Sequence, residues 1–597
     1  MKLTGGQIVV ETLVREGVPY LVGIPGHGTL GLSDALVGEA RIQVIQVRHE
    51  QAAVHLADAY YRMTGVPLAV FTSIGPGAMN TVIGVASCYV DSIPVLVLTG
   101  NSHTHMAGRG VLQEIERTAD ANSLAVFSPI TKRTWRADRV DRLPRILRRA
   151  FTEMLTGRRG PVAVDLPMDV QCDAADVTLL DPAEYRIAGF SLPDPDLVAR
   201  AAGLLYAAER PVILAGGGVV SGKAWPELRA LAEFTGAAVI TTMMGKGVFP
   251  EDHRLSAFHA GSKGTTCGNR LASTADVLLA VGTRFADETA SSYRAGASFA
   301  IPPTRLIHVD QDPAEVGKNY PATVGIAADA RATLDAMMTW LRVHHPPKDY
   351  DSSAYYLEVQ QEREAWLAEV RTRASLDHVP VTISRLIAEV RAILDRDAIV
   401  LTSSGNLQAQ WFQEAIVYEP GTNLTTGGFS TMGWTVPAAL GAKLAAPGRQ
   451  VLGLVGDGDL SMTVQELATA VQYELPVVYV VANNAGWIAI RDLQAAVYGE
   501  DRAQGAEFLR NQEPFSPDLA AVARGFGCYA ERISLPDEVR PALKRAFASG
   551  RPAVVEVLVE RSYPLSGSPA TGWWDVPVPT YLVEARDRYE RERAEEQ

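Results

Sequence analysis

The sequence predicts an α/β protein of three doubly wound parallel-sheet domains followed by a C-terminal tail, and three observations carry that expectation. At 597 residues the chain is too long for one hydrophobic core, so about three to four domains are expected. Short apolar runs ending in glycine-rich turns alternate with segments of helical period along most of its length. The stretch from Val451 to Trp487 shows the unit most clearly. Val451 to Val455 form an apolar run closed by Gly456, and Val464, Leu467, Ala468 and Val471 then share one helix face. A second apolar run, Val477 to Val481, ends at Asn483-Asn484. Such crossovers are right-handed and return the second strand parallel to the first. Asp457 and Asn484 are therefore expected side by side at the carboxyl edge of one sheet, where open α/β sheets bind ligands.

Composition narrows the class. A hydrophobic share of 47% with 21% charged residues describes an ordinary globular protein. The net charge of −13 argues against a nucleic-acid footprint, which would be basic. Cys88, Cys172, Cys267 and Cys528 are scattered without a CxxC pair, so neither a disulfide framework nor a zinc site follows, and a cytoplasmic location is expected. Acids within the first apolar segment exclude a signal peptide, and no uncharged apolar run of about 18 residues predicts a membrane span.

In chain order, residues 1–175 form the first expected domain. Tyr20 to Ile24 is a strand leading into Pro25-Gly26-His27-Gly28, Ile42 to Val47 is strand-like, and Arg48-His49-Glu50 opens a helix. Pro67 to Thr72 is a strand ending in Ser73 to Ala78, and Pro94 to Thr99 and Pro161 to Leu166 add two more. Taken alone, Glu50 is a first-turn acid that favours the helix dipole by about 0.3–1 kcal/mol. Gln113, taken alone, reads as readily as a surface helix residue.

Residues 190–345 form the central domain, with strands at Arg210 to Ala215, Asp276 to Val281 and Leu306 to Val309. Gly217 to Lys223 matches GxxxxGK, yet Ala224 stands where a phosphate loop needs Ser or Thr, so that reading is rejected. Tight strand–helix packing explains these glycines equally well. Residues 346–375 read as a charged helical connector, and 376–560 as the third α/β domain. There Ile399 to Thr402 ends at Ser403-Ser404-Gly405-Asn406, and Thr425 to Trp434, containing Gly428 and Met432, precedes a helix at Pro437 to Leu444. In the tail, 561–597, Trp573-Trp574 precede a charged helix and either close over a site or pin the tail down.

An acidic oxygen beside an amide oxygen suits a hard cation, and Mg²⁺ takes such ligands together with substrate phosphates. The GDG at Gly456-Asp457-Gly458, then 24 residues, then Asn483-Asn484, resembles the diphosphate and metal signature of thiamine diphosphate (ThDP) enzymes. Arg48 to Ala53 after a strand, followed by Thr72 to Asn80, is similar to the pyrimidine-binding domain of that family, and Gly217 to Lys223 with Gly282 to Phe285 and His308 to Asp312 resembles the central domain of its acetolactate-synthase-like members. The resemblance implies Mg²⁺ held by Asp457, Asn484 and the Gly486 carbonyl. It implies cofactor contacts from Gly26, Pro76, Gly405, Asn406 and Gly428, from Gly456, Gly458 and Asp459, and from Trp487 and Ile488. Met432 would wedge under the cofactor, although a core methionine filling a gap reads the same way. Glu50 would contact the aminopyrimidine and assist loss of the thiazolium proton, with Gln113 and His27 on the substrate side.

By the same resemblance the central domain holds FAD, an adenine nucleotide or nothing. The site lies between the first domain of one subunit and the third of another, so a homodimer or homotetramer is implied. Three patches, Gly26 to Gly28, Ala506 to Gln512 and Trp573 to Val578, look like the trihydroxycyclohexane-1,2-dione hydrolases of inositol breakdown. The expected reaction is therefore hydrolytic cleavage of a cyclic 1,2-dione, a small carbonyl substrate. The alternatives are an acetolactate-synthase-type carboligase on 2-oxo acids, a 2-hydroxyacyl-CoA lyase, and a regulatory subunit that binds cofactor without chemistry.

Overall fold

The computed structural model describes residues 1–115, 123–561 and 571–594; the part of the expected tail at 562–570 lies outside them. Three six-stranded sheets organise these residues, and every strand pair within them is parallel. The strands are Val- and Ile-rich and mostly buried on both faces, because helices cover each side of a parallel sheet.

The first sheet runs Gln43–Gln46, Tyr20–Gly23, Ala69–Thr72, Leu96–Asn101, Val162–Pro167 and Arg133–Arg136 across its width. The third runs Asn423–Thr425, Ile399–Thr402, Val451–Gly456, Val478–Asn483, Ala553–Leu558 and Tyr529–Ile533. With strands numbered in chain order inside each unit, both follow 2-1-3-4-6-5. The central sheet differs. It follows 3-2-1-4-5-6, from Ser256–His259 through Pro211–Ala215 and Val277–Val281 to Val324–Ala327.

The matching topology places two corresponding helices against each other, Glu50–Thr64 of the first unit and Thr435–Ala445 of the third. They touch backbone to backbone: a Cβ on Gly441 would sit 2.1 Å from the Leu56 carbonyl oxygen. A buried polar network fixes this junction. Arg62 donates to Asp58 at 2.5 Å and Asp91 at 3.1 Å, Trp434 Nε1 donates to Asp58 at 2.8 Å, and the Gly427 N–H donates to Asp91 at 2.8 Å. Buried charges of this kind persist only when paired and hydrogen-bonded.

In the central unit, the expected glycine loop is filled by protein. A Cβ on Gly216 would lie 2.2 Å from the Gly282 carbonyl oxygen, and Gly218 donates its N–H to the same oxygen at 3.0 Å. The connector forms the helix Ala354–Ala374, capped by Ser353. The tail lies on the central unit: Arg294 stands over the Trp573 ring and Lys263 over Trp574, while the Asp575 N–H donates to Ser292 at 3.0 Å. It then reaches the third unit, where Tyr498 donates to the Pro577 carbonyl at 3.1 Å, and ends in the helix Val583–Arg593. No helix among the described residues is long and apolar enough to cross a membrane.

Candidate active site

Two clusters of the sequence-derived residues form, one on the carboxyl edge of the first sheet and one on that of the third. In the first, the chain leaves Tyr20–Gly23 and turns at Gly26 into the short turn His27–Thr29. Gly26 nests on Ser73, where its Cβ would stand 2.4 Å from Oγ, and the Gly28 N–H donates to that Oγ at 3.3 Å. The loops after the first and third strands are thus locked together, with His27 half-buried between them.

Glu50 follows its helix cap His49 and is 9% exposed. Asn80 Nδ2 donates to Glu50 Oε2 at 2.9 Å, and a Cβ on Gly77 would lie 3.0 Å from Oε1. Pro76 sits between Gly77 and Gly75, and Gly75 packs against the Gln113 carbonyl. The edge therefore gathers Gly26, His27, Glu50, Pro76 and Gln113. Asn80 closes the Thr72–Asn80 stretch, yet nothing in the sequence marked it as the partner of Glu50.

In the second cluster, three neighbouring strands end together: Ile399–Thr402, Val451–Gly456 and Val478–Asn483. Asp457 opens the helix Asp457–Thr463 and is 3% exposed. Its Oδ2 accepts the Gly486 N–H at 3.2 Å. Burial pushes its carboxyl up to about 6, against the opposing backbone N–H groups of Gly486, Gly458 and Asn484. Asp459, also pushed up to about 6 by burial, accepts Ser403 Oγ–H and the Gly433 N–H, the latter at 2.5 Å. It stitches the loop at 403, the Met432-Gly433 turn and the GDG segment into one edge.

The two asparagines divide their work. Asn483 is scaffold: its amide donates to Glu556 at 2.7 Å and Ser516 at 2.9 Å, and its oxygen accepts the Ala485 N–H at 3.1 Å. Asn484 is half-buried at the edge beside Asp457. Ala485 holds φ +54, a left-handed conformation uncommon outside glycine and frequent at functional turns. The Trp487 ring lies on Gly458, where a Cβ would stand 2.1 Å from it, and Ile488 is buried at the start of the next helix. Glu556 was missed, although a lone acid inside the apolar strand Ala553–Leu558 already signals a buried partner.

Asp492 is buried with both oxygens engaged, by Arg491 at 2.6 Å and by Asn406 Nδ2 at 3.0 Å. It ties Asn406 to the helix Ile488–Tyr498 and so braces the Gly405-Asn406 turn. Gly428 belongs to the loop whose Ser430 hydroxyl donates to Ser404 Oγ at 3.0 Å. It lies against Arg284, whose Nη1 donates to the Val90 carbonyl at 3.0 Å, at the meeting of the three units. Among the described residues no group of three or more His, Cys, Asp or Glu converges as a metal site. A cation here would rest on one carboxylate and neutral oxygens, the ligand set of Mg²⁺ with a phosphate-bearing partner.

The site fits such a group in one further respect. A Cβ on Gly405 or Gly456 would meet nothing within 4 Å, so space opens beside Asp457. Residues 3–123 match the thiamine pyrophosphate enzyme N-terminal TPP binding domain, 198–337 the central domain and 403–557 the C-terminal TPP binding domain. The chain is 35% identical to a probable acetolactate synthase large subunit of Methanocaldococcus jannaschii, over 96% of this chain and 94% of that protein.

The chain belongs to the thiamine pyrophosphate enzymes.

Other relatives of this thiamine pyrophosphate enzyme are an acetolactate synthase large subunit of Corynebacterium glutamicum (34% identical, 94% of this chain and 87% of that one) and the isozyme 3 large subunit of Escherichia coli (32%, 94% and 96%). The three-unit α/β architecture and the thiamine-dependent class expected from the sequence stand. These relatives favour the carboligase alternative over the dione hydrolase.

Proposed function

We propose that this enzyme is an acetolactate-synthase-type carboligase, which removes carbon dioxide from a 2-oxo acid and joins the remaining acyl unit to a second carbonyl compound. The observation that carries this reading is the likeness to acetolactate synthase large subunits across nearly the whole chain, all three units included.

In this reading Asp457, Asn484 and the Gly486 carbonyl hold Mg²⁺, and Gly405, Asn406, Gly456 and Gly458 leave room for the diphosphate. When bound, ThDP supplies a carbanion nucleophile and an electron sink for decarboxylation. The protein supplies the rest. The Met432 turn, fixed through Gly433 by Asp459, would support the cofactor, and the Trp487 ring, packed on Gly458, would line the same edge. Glu50, steadied by Asn80, holds a proton at the aminopyrimidine ring and so promotes activation. Gln113 and His27 face the substrate. The first unit of one copy meets the third unit of another at each site, giving a homodimer or homotetramer. Gly428, at the meeting of the units, acts on the cofactor loop only through its backbone.

The test is a substrate panel with the purified enzyme, ThDP and Mg²⁺. Pyruvate, alone and with a second 2-oxo acid, should give carbon dioxide and a 2-alkyl-2-hydroxy-3-oxobutanoate, whose 2-alkyl group is methyl with pyruvate alone and otherwise that of the second 2-oxo acid. Turnover confined to a cyclic 1,2-dione, or to a 2-hydroxyacyl-CoA, overturns the reading. An absorption spectrum of the same preparation shows whether the central unit retains a flavin.

A further inference from the structure

The chain between Ser102 and Glu114 makes a loop that closes on itself through one side chain. Glu114 Oε1 accepts the Ser102 hydroxyl and the Gly108 N–H, each at 3.1 Å, and Oε2 accepts the Val111 N–H at 3.1 Å. Partial burial opposes the charge, yet these donors hold the Glu114 carboxyl below its ordinary value. The start of the loop is pinned as well, since the Thr104 N–H donates to both Asp169 oxygens at 3.1 Å.

The residue just before this carboxylate is Gln113, held at φ +69. A residue with a side chain is strained in that region and persists there only where its surroundings impose it. Its carbonyl rests on Gly75, where a Cβ would stand only 2.0 Å from the Gln113 oxygen, and Gly75 itself is at φ +46. Two residues on, Gly77 lies against Glu50 Oε1. The contacts therefore run from Glu114 through the loop to Gln113, from Gln113 to the Gly75–Gly77 turn, and from that turn to Glu50.

We propose that Glu114 is a positioning residue, whose carboxylate folds the 102–114 loop and so sets Gln113 against the Gly75 turn on the substrate side of Glu50. This rests on the substrate-side placement of Gln113 given above. A carboxylate suits the task because it accepts three donors at once in a short loop, which a neutral amide cannot do with both of its terminal atoms.

The experiment compares Glu114→Gln, Gln113→Ala and the double variant, all loaded with ThDP and Mg²⁺. Hydrogen exchange should quicken in the 102–115 peptide of Glu114→Gln and stay unchanged in peptides covering 50–64 and 457–463. With pyruvate, Glu114→Gln should raise KM more than it lowers kcat, for a loss of about 10- to 100-fold in kcat/KM, the scale of a small misplacement. In the Gln113→Ala background the same substitution should cost no more than about twofold. Unchanged exchange in the loop, or an equal loss in both backgrounds, overturns the proposal. Should the parent fail to turn over pyruvate, the carboligase reading falls, while the exchange measurement still decides the role of Glu114.

Discussion

The Gly486 N–H donates to Asp457 Oδ2 at 3.2 Å, joining the loops that follow two adjacent strands of the third sheet. This one bond brings the two halves of the GDG…NN pattern together. Backbone N–H groups of Gly458 and Asn484 also favour the charged form of this buried carboxylate, which is the form that would meet a cation. Asp457→Ala should therefore weaken binding of ThDP with Mg²⁺ by more than the roughly 10- to 100-fold expected for loss of an outer-sphere partner. Isothermal calorimetry measures this, and unchanged affinity removes the metal assignment.

The backbone approach of Gly441 to Leu56 makes a second prediction. Gly441→Ala forces the helices Glu50–Thr64 and Thr435–Ala445 apart, since neither backbone can yield locally. Overpacking of this type costs about 1–3 kcal/mol or more. A lowered melting temperature in the substituted protein is expected, and an unchanged one shows that the junction tolerates separation.

Much of this was legible in the sequence because parallel strands buried on both faces have to be continuous apolar runs. Val451–Gly456 and Val478–Asn483 fall within two residues of their expected bounds. The helix between them was less legible. One amphipathic face suggested a single helix, whereas the chain forms Asp457–Thr463 and Glu466–Gln472 with a break between them. Periodicity carries no mark of that break. The supporting partners were not legible either. Asn80 on Glu50, Glu556 on Asn483 and Ser403 on Asp459 lie 30, 73 and 56 residues apart, and only the fold brings such pairs together.

The tail supplies a third prediction. Its contacts through Trp573, Trp574 and Asp575 fall on the central unit, which favours an anchor, while Tyr498 to Pro577 touches the helix that follows the Gly486 loop. Truncation before Gly572 should lower the melting temperature and activity together. Loss of kcat or a rise in KM at unchanged stability would instead identify a lid.

A fourth concerns pH. Glu466 is fully buried, and burial pushes its carboxyl from 4.5 up to about 7, against hydrogen bonds from Thr469 and from the Arg48 and His49 N–H groups. A folded value above the unfolded one means that folding takes up a proton between the two. The stability so contributed is complete below about pH 4.5 and is lost as pH rises through about 7. Relative to Glu466→Gln, the parent should thus lose up to about 3 kcal/mol between pH 4.5 and pH 8. Chemical denaturation of both proteins across that range checks the slope, and parallel curves would place the carboxyl in its ordinary range.

The catalytic assignment depends most on Glu50. Glu50→Gln keeps the size of the side chain and can still accept the Asn80 amide, so the local structure should persist. It cannot hold and share a proton at the cofactor ring as a carboxylate does. Cofactor affinity should fall modestly, since a hydrogen bond to a charged group is worth about 1.5–3 kcal/mol. Turnover at saturating ThDP should fall further, by about 10²- to 10⁴-fold, the usual contribution of acid–base assistance. Exchange of the thiazolium C2 proton, followed by NMR after acid quench, reports the activation step apart from any substrate. Slower exchange in the variant is expected. Exchange as fast as in the parent would reduce Glu50 to a residue that starts a helix, and the proton-holding role would have to be sought elsewhere along the Ser73–Asn80 turn.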